Sequence, residues 1–155
     1  MRIIGVDPGV TGGIALLVDG KLHGVIDMPV FDSEASAALI ANHIQLAEPD
    51  LVVIEWVQPM PRNGSIASFS LGKNYGIVIG VCGALRHPLV KIRPNEWKKT
   101  MGLTGKDKKA SLGLAIQLWP EHAEFFKRAK DDGRAEAALI ARAQSYKLVA
   151  ASNAE

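Results

Sequence analysis

Two short apolar runs open the chain, "RIIGV" from Arg2 to Val6 and "GIALLV" from Gly13 to Val18. Their length and their β-branched and apolar content predict strands. Asp19-Gly20 separates the second run from "KLHGVIDM", and an Asp-Gly pair between two such runs predicts a tight hairpin. The first three strands therefore form an antiparallel meander. Further on, "SEASAALIANHIQLA" (Ser33 to Ala47) carries apolar residues at helical spacing, with a serine cap before them and Pro49-Asp50 as a stop. "LVVIEWV" (Leu51 to Val57) is almost continuously apolar, the pattern of a central parallel strand covered on both faces.

"PMPRNGS" interrupts all periodicity. From Ser65 to Leu85 the spacing predicts a long helix punctuated by Gly72, Gly76, Gly80 and Gly83. Each interior glycine costs about 1 kcal/mol relative to alanine, and their small size permits close packing. "LVKIR" (Leu89 to Arg93) is a fifth strand, and Pro94 opens a short helical piece, "NEWKKTMG". Two more helices are predicted over Asp107 to Trp119 and Gly133 to Val149. Right-handed crossovers then place strand one beside strand four, giving a mixed five-stranded sheet of order 3-2-1-4-5 flanked by helices. This α/β arrangement resembles the ribonuclease H-like fold. At 155 residues the whole chain, 1–155, is expected to form one domain around a single core.

Composition removes several classes. A single cysteine, Cys82, excludes a disulfide framework or a zinc cluster, and its apolar surroundings point to a buried structural thiol. No run of about 18 apolar residues and no signal-like start are present, so a cytoplasmic protein without a membrane partner is expected. The net charge of +2 conceals a strong asymmetry along the chain. Residues 1–60 hold 2 basic and 8 acidic side chains, whereas residues 61–110 hold 10 basic and 2 acidic ones. Such a cationic block is either a solvated face or the footprint of a polyanion, and ten against two favours nucleic acid.

The acidic residues have a different distribution. In α/β sheets, sites lie at the carboxyl ends of adjacent parallel strands. Asp7 ends strand one and Glu55 lies near the end of strand four, so their carboxylates would converge there. Two more acidic groups come from "KDDGRAEAALIA". Asp132 and Glu136 are spaced i, i+4, which sets neighbours about 5–6 Å apart on one helical face. Asp132 also reads as a helix N-cap. Glu136 interrupts a small apolar face, where an unpaired carboxylate is costly; its structural alternative is a salt bridge with Arg134 or Arg142.

Four carboxylates brought together raise one another's pKa and destabilise a fold unless cations join them. Oxygen ligands select Mg²⁺ or Mn²⁺ over zinc. Two such ions held about 3.5–4 Å apart can grip a phosphodiester from both sides. An acidic centre within a basic surround is thus the pattern of a metal-dependent nuclease.

Four motifs in order carry a closer resemblance: "IIGVDPGVTGG", "VVIEWV" followed by "SFSLGKNYGIVIG", "IRPNEWKKTMGL" with "KDKKAS", and "DGRAEAALIA". Over nearly its whole length the chain resembles the RuvC-type Holliday-junction resolvases, and more the short phage and prophage branch than the cellular one. The resemblance implies Asp7, Glu55, Asp132 and Glu136 as catalytic metal ligands, with Asp131 the substitute for Asp132. It implies two Mg²⁺ ions per site, replaceable by Mn²⁺, and a homodimer that makes paired nicks in four-way or other branched DNA. Two departures stand out. Cellular members end with ligands three residues apart where this chain has four, and their junction-wedging aromatic is replaced by Gln58. Trp56, Met60, Arg62 or Phe69 would then serve in its place, Trp56 being otherwise a core residue. Phe69 and Tyr75 read equally as base-stacking or core side chains.

Arg62, Lys73, Lys98, Lys99, Lys106 and Lys108 are the candidate DNA contacts, Lys106 and Lys108 because they follow "GLTG", a loop able to track a phosphate backbone. Three other readings compete. An actin-like kinase shares an aspartate-glycine strand turn but needs two such domains. A structured-RNA nuclease keeps the fold and changes the substrate. A non-catalytic junction-binding module has no need of the acidic set.

Overall fold

A computed structural model describes residues 1–58 and 64–153. The predicted meander is present as β1 (Arg2–Asp7), β2 (Gly13–Val18) and β3 (Lys21–Asp27). Asp19 and Gly20 both have positive φ, 49° and 77°, which is what a two-residue hairpin turn of matching twist requires. Two parallel strands complete the sheet, β6 (Leu51–Glu55) against β1 and β7 (Leu89–Ile92) against β6. The order is β3-β2-β1-β6-β7, so the expected ribonuclease H-like arrangement is the one observed.

The sheet sorts its side chains by the two-residue period of a strand. Ile4, Val6, Ile14, Val52 and Ile54 face α1 (Ala37–Ala47) and α2 (Ser65–Ala84), and Cys82 lies fully buried among them. Ile3, Ala15, Leu17, Val53 and Ile92 face the opposite way. They meet α5 (Asp132–Ser152), backed by Trp97 of α3 (Pro94–Thr100), Ala115 of α4 (Lys108–Leu118), Trp119 and Phe126. The alanine-rich start of α5 allows close approach. A Cβ added at Gly5 would stand 2.1 Å from the Ala137 carbonyl oxygen and 2.8 Å from the Ala141 nitrogen. Backbone therefore lies on backbone where α5 crosses β1.

Several boundaries differ from those read in the sequence. The helix predicted from Ser33 begins at Ala37, capped by Ser36, because Val30–Phe31 (β4) and Glu34–Ala35 (β5) pair as a small hairpin. Its register is held from outside: the Ala35 amide donates to the buried Asn74 side chain of α2 at 2.9 Å. The strand expected to reach Val57 stops at Glu55, leaving Trp56 half-buried under the Arg93 guanidinium, 4.9 Å from the ring centroid, instead of in the core. Four glycines of α2 receive no neighbour among the described residues. A Cβ at Gly72, Gly76, Gly80 or Gly83 would meet nothing within 4 Å.

Candidate active site

Parallel pairing of β1 with β6 runs to Val6 and Ile54, and the next residue on each strand is Asp7 and Glu55. Adjacent strands are about 4.8 Å apart, so two carboxylates sit side by side at the sheet edge. Helix α5 passes over the same edge and contributes Asp132 at its first position and Glu136 one turn later. Glu136 is 8% exposed. Neither arginine considered as its partner is engaged with it. Arg134 forks onto Asp27 at 2.6 and 2.8 Å, and Arg142 donates to the Gly20 carbonyl at 2.9 Å. Glu136 has no salt bridge among the described residues.

The electrostatic consequence is large. Burial first, then the facing charges of Glu55 and Glu136, push Asp7 up to about 7, against a weak opposing bond from the Gly9 amide and the attraction of Lys108. Glu136 is raised as well, by burial and by Glu55 and Asp132, with Lys98 and Lys108 pulling the other way. Lys108 donates to Asp132 Oδ2 at 2.5 Å, and that bond raises its own pKa. Glu55 accepts a hydrogen bond of 2.7 Å from the indole nitrogen of the fully buried Trp97. This donor was missed in the sequence, where "NEWKK" was read for its cations alone.

Asp131 is placed differently. Its carboxylate is 1% exposed and accepts from the Arg128 guanidinium at 2.7 and 2.9 Å and from the Arg128 amide at 2.8 Å. Burial raises its pKa, but these bonds and Arg134 outweigh that and hold it below the usual carboxylate range. All its lone-pair directions are committed to the turn that launches α5. Asp132, not Asp131, is the carboxylate turned toward Lys108 and the sheet edge. Its side chain does not close the N-cap reading, since no side-chain cap bond starts α5.

Divalent cations fit this donor set by its chemistry: four hard oxygen donors, of which Asp7 and Glu136 resist ionisation through burial and through the charges of neighbouring carboxylates, Glu55 for both, more than the nearby lysines offset. Among the described residues no three acidic, histidine or cysteine side chains already close around one point. Like charges keep apart, Lys108 draws Asp132 and Trp97 draws one oxygen of Glu55.

The predicted cations divide by position. Lys98 and Lys108 reach the carboxylates, while Lys99 and Lys106 are exposed on α3 and on the loop before α4. Lys73 lies further off on α2, paired with Glu34 and 5.6 Å from the Phe69 ring centroid. Phe69 is 71% exposed and Tyr75 half-buried, so only Tyr75 keeps a core reading. Met60 and Arg62 lie outside the described residues.

No protein-family model matches the chain. The RuvC crossover junction endodeoxyribonuclease of Thermomicrobium roseum is 29% identical over 133 residues, covering 76% of this chain and 78% of that protein. The chloroplastic Holliday junction resolvase MOC1 of Chlamydomonas reinhardtii is 34% identical over 83 residues, 53% of this chain. Both matches are similarities in sequence to Holliday-junction resolvases, the first along most of the chain. The chain spans 9% of the length of the Chlamydomonas protein. Among solved structures, Thermus thermophilus RuvC superposes with a TM-score of 0.70 at 18% identity, over 97% of both chains. The same RuvC in complex with Holliday junction substrate gives 0.68 at 17% identity over 96% of both. The fowlpox virus resolvase with its junction DNA gives 0.64 at 18%, over 94% of this chain and 99% of the other. These likenesses show the RuvC fold.

Proposed function

We propose that this protein is a junction-resolving endodeoxyribonuclease, acting in the cytoplasm as one RuvC-like domain that nicks opposed strands of four-way or branched DNA. One observation carries the reading. Carboxylates from β1, β6 and α5 line a single sheet edge bordered by lysines of α3 and α4, and two of them, Asp7 and Glu136, are too desolvated for a solvated surface. Asp7, Glu55, Asp132 and Glu136 would hold two Mg²⁺ ions, with Mn²⁺ as a substitute. Such ions, when bound, lower the pKa of a water that attacks phosphorus and neutralise charge on the departing 3′ oxygen.

The chain's own residues do the rest. The four carboxylates set where the scissile phosphate lies relative to β1 and β6, and Lys108 and Lys98 offer charge to its non-bridging oxygens. Lys99 and Lys106 extend the cationic track along the backbone, with Lys73 on the far side; Arg62 is the remaining candidate. Two opposed nicks need two sites, and the bare glycine face of α2 with exposed Ile66 (86%) and Phe69 supports a homodimer packed along that helix.

The test is a labelled synthetic four-way junction incubated with Mg²⁺, Mn²⁺ or EDTA, beside a linear duplex and a structured RNA of the same size. Paired nicks in the junction that require the metal and vanish in D7N and E136Q are expected. Preferential cleavage of the RNA would move the substrate to the RNA-processing reading, and cleavage unchanged in both variants would remove the carboxylates from the chemistry.

A further inference from the structure

Trp97 is the largest side chain buried without any exposure, and it is not placed as ordinary core. A buried indole N–H needs an acceptor. The acceptor here is neither a backbone carbonyl nor water but Glu55 Oε1, 2.7 Å away and 42 residues earlier in the chain. We propose that Trp97 is a positioning residue for the site: its indole fixes the carboxylate of Glu55 so that one oxygen is bound and the other is presented to a divalent cation. The inference rests on the reading of Glu55 as a cation ligand.

Three features suit Trp97 to this task. First, an indole donates and never accepts, and it does not titrate, so the bond holds Glu55 in one orientation at any working pH. A carboxylate on a flexible stem otherwise loses rotamer freedom when a ligand fixes it. Groups that hold a ligand's free atom perform this ordering in advance. Second, the ring cannot swing away. It is packed in the cluster formed by Val53, Ile92 and the alanines of α5, with Lys98 Nζ 5.3 Å from its centroid.

Third, α3 is tied to the β6 end and to the helix of the site. Pro94 starts it, the Glu96 side chain accepts from the Arg93 amide at 3.0 Å, and Lys147 of α5 reaches Glu96 at 3.1 Å. The Trp56 amide, next to Glu55, donates to the Ile92 carbonyl at 2.7 Å, locking the β6 end to the strand that leads into α3. Consecutive residues of α3 therefore address different carboxylates: Trp97 binds Glu55 and Lys98 offsets the charge of Glu136. A tryptophan serving only as core volume would need none of this alignment with a carboxylate.

The experiment uses the full chain labelled with ¹⁵N at its three tryptophans, whose indole N–H signals are assigned with W97F. On addition of Mg²⁺ alone, the Trp97 signal should move while that of Trp119 stays, and Mn²⁺ should broaden Trp97 more than Trp119. E55Q should shift the Trp97 signal before any metal is added. W97F, folded by circular dichroism, should need roughly 10- to 100-fold more Mg²⁺ for half-maximal junction cleavage, with rate largely restored at saturating metal. A Trp97 signal indifferent to Mg²⁺ in a protein that binds the ion, or W97F with wild-type Mg²⁺ dependence and only a lower Tm, would overturn the proposal while leaving the nuclease reading intact. If W97F does not fold, the wild-type and E55Q spectra decide. Absence of any Mg²⁺ response in the wild type, by calorimetry or by spectra, would overturn the nuclease reading and this proposal together.

Discussion

Asp131 and Asp132 are adjacent in sequence, yet their carboxylates serve opposite masters: Arg128 takes the first into the protein and Lys108 takes the second to the sheet edge. Asp131 completes the turn that aims α5, whereas Asp132 is among the groups that α5 aims. D131N should cost about 2 kcal/mol of stability by stranding a bonded, buried carboxylate's partners. Because Asp131 is held below its ordinary pKa, its contribution is present above about pH 4 and is lost as acid protonates it. D132N should change stability by less than about 1 kcal/mol, since its lysine partner is largely exposed, but abolish cleavage. Thermal unfolding beside a junction-cleavage assay separates the two residues; a D131N protein of full stability without activity would exchange their roles.

Asp7 makes a prediction of opposite sign. Folding raises its pKa from 3.8 to about 7, so the protonated form is the one the metal-free fold prefers. Its favourable contribution is full below about pH 4 and disappears as pH rises through 7, a loss of a few kcal/mol at most. In EDTA at pH 8, D7N should melt above the wild type, and the gap should narrow steadily below pH 7 and close only near pH 4. Adding Mg²⁺ should stabilise the wild type and leave D7N unmoved. Scanning fluorimetry across pH, with and without the ion, reads both effects.

Lys108 joins two functions that one substitution can measure. K108A should flatten the dependence of junction binding on salt by about 0.9 in log–log slope, as expected for one lost phosphate contact. It should also lower metal-free stability, because the carboxylates lose a compensating charge. K99A, exposed and away from the carboxylates, should reproduce the slope change without the stability change. Binding isotherms from 50 to 300 mM salt, a range on the order of that over which such contacts are resolved, provide the comparison.

The open face of α2 predicts how the chain assembles. Nothing among the described residues would meet a methyl group at Gly76 or Gly80. G76A should therefore stabilise the isolated protomer by roughly 0.5–1 kcal/mol through helix propensity. G76L with G80L should keep that fold but shift sedimentation toward monomer, with uncoupled single nicks in place of paired ones. A double variant that stays dimeric would move the interface elsewhere.

Most of the sheet was legible because strand patterning and an Asp-Gly turn are local signals. The carboxylate ends of Leu51–Glu55 and Arg2–Asp7 were likewise visible as charges closing apolar runs. The hairpin at Val30–Ala35 was not, since its support comes from Asn74, 39 residues from Ala35. Nor was the choice between Asp131 and Asp132, which turns on a helix start that shifts by one residue and on Arg128 bonds invisible to spacing. Glu136 stands out in the sequence by its intrusion into an alanine face, while the engagement of Arg134 with Asp27 and of Arg142 with Gly20 needed the third dimension. Trp97 carried one signal that could have revealed it: an aromatic with a donor, surrounded by cations, in a segment flanking a site otherwise made of acceptors.

The contact of α5 with β1 through Gly5 gauges the site. Main-chain atoms, not side-chain volumes, set the gap between the helix that bears Glu136 and the strand that bears Asp7. A spacing gauged by peptide groups is blind to the exchange of one aliphatic residue for another elsewhere in the interior. An aliphatic exchange in the core should therefore leave the distance between Asp7 and Glu136 unchanged, whereas any side chain at Gly5 should push α5 off the sheet and part them.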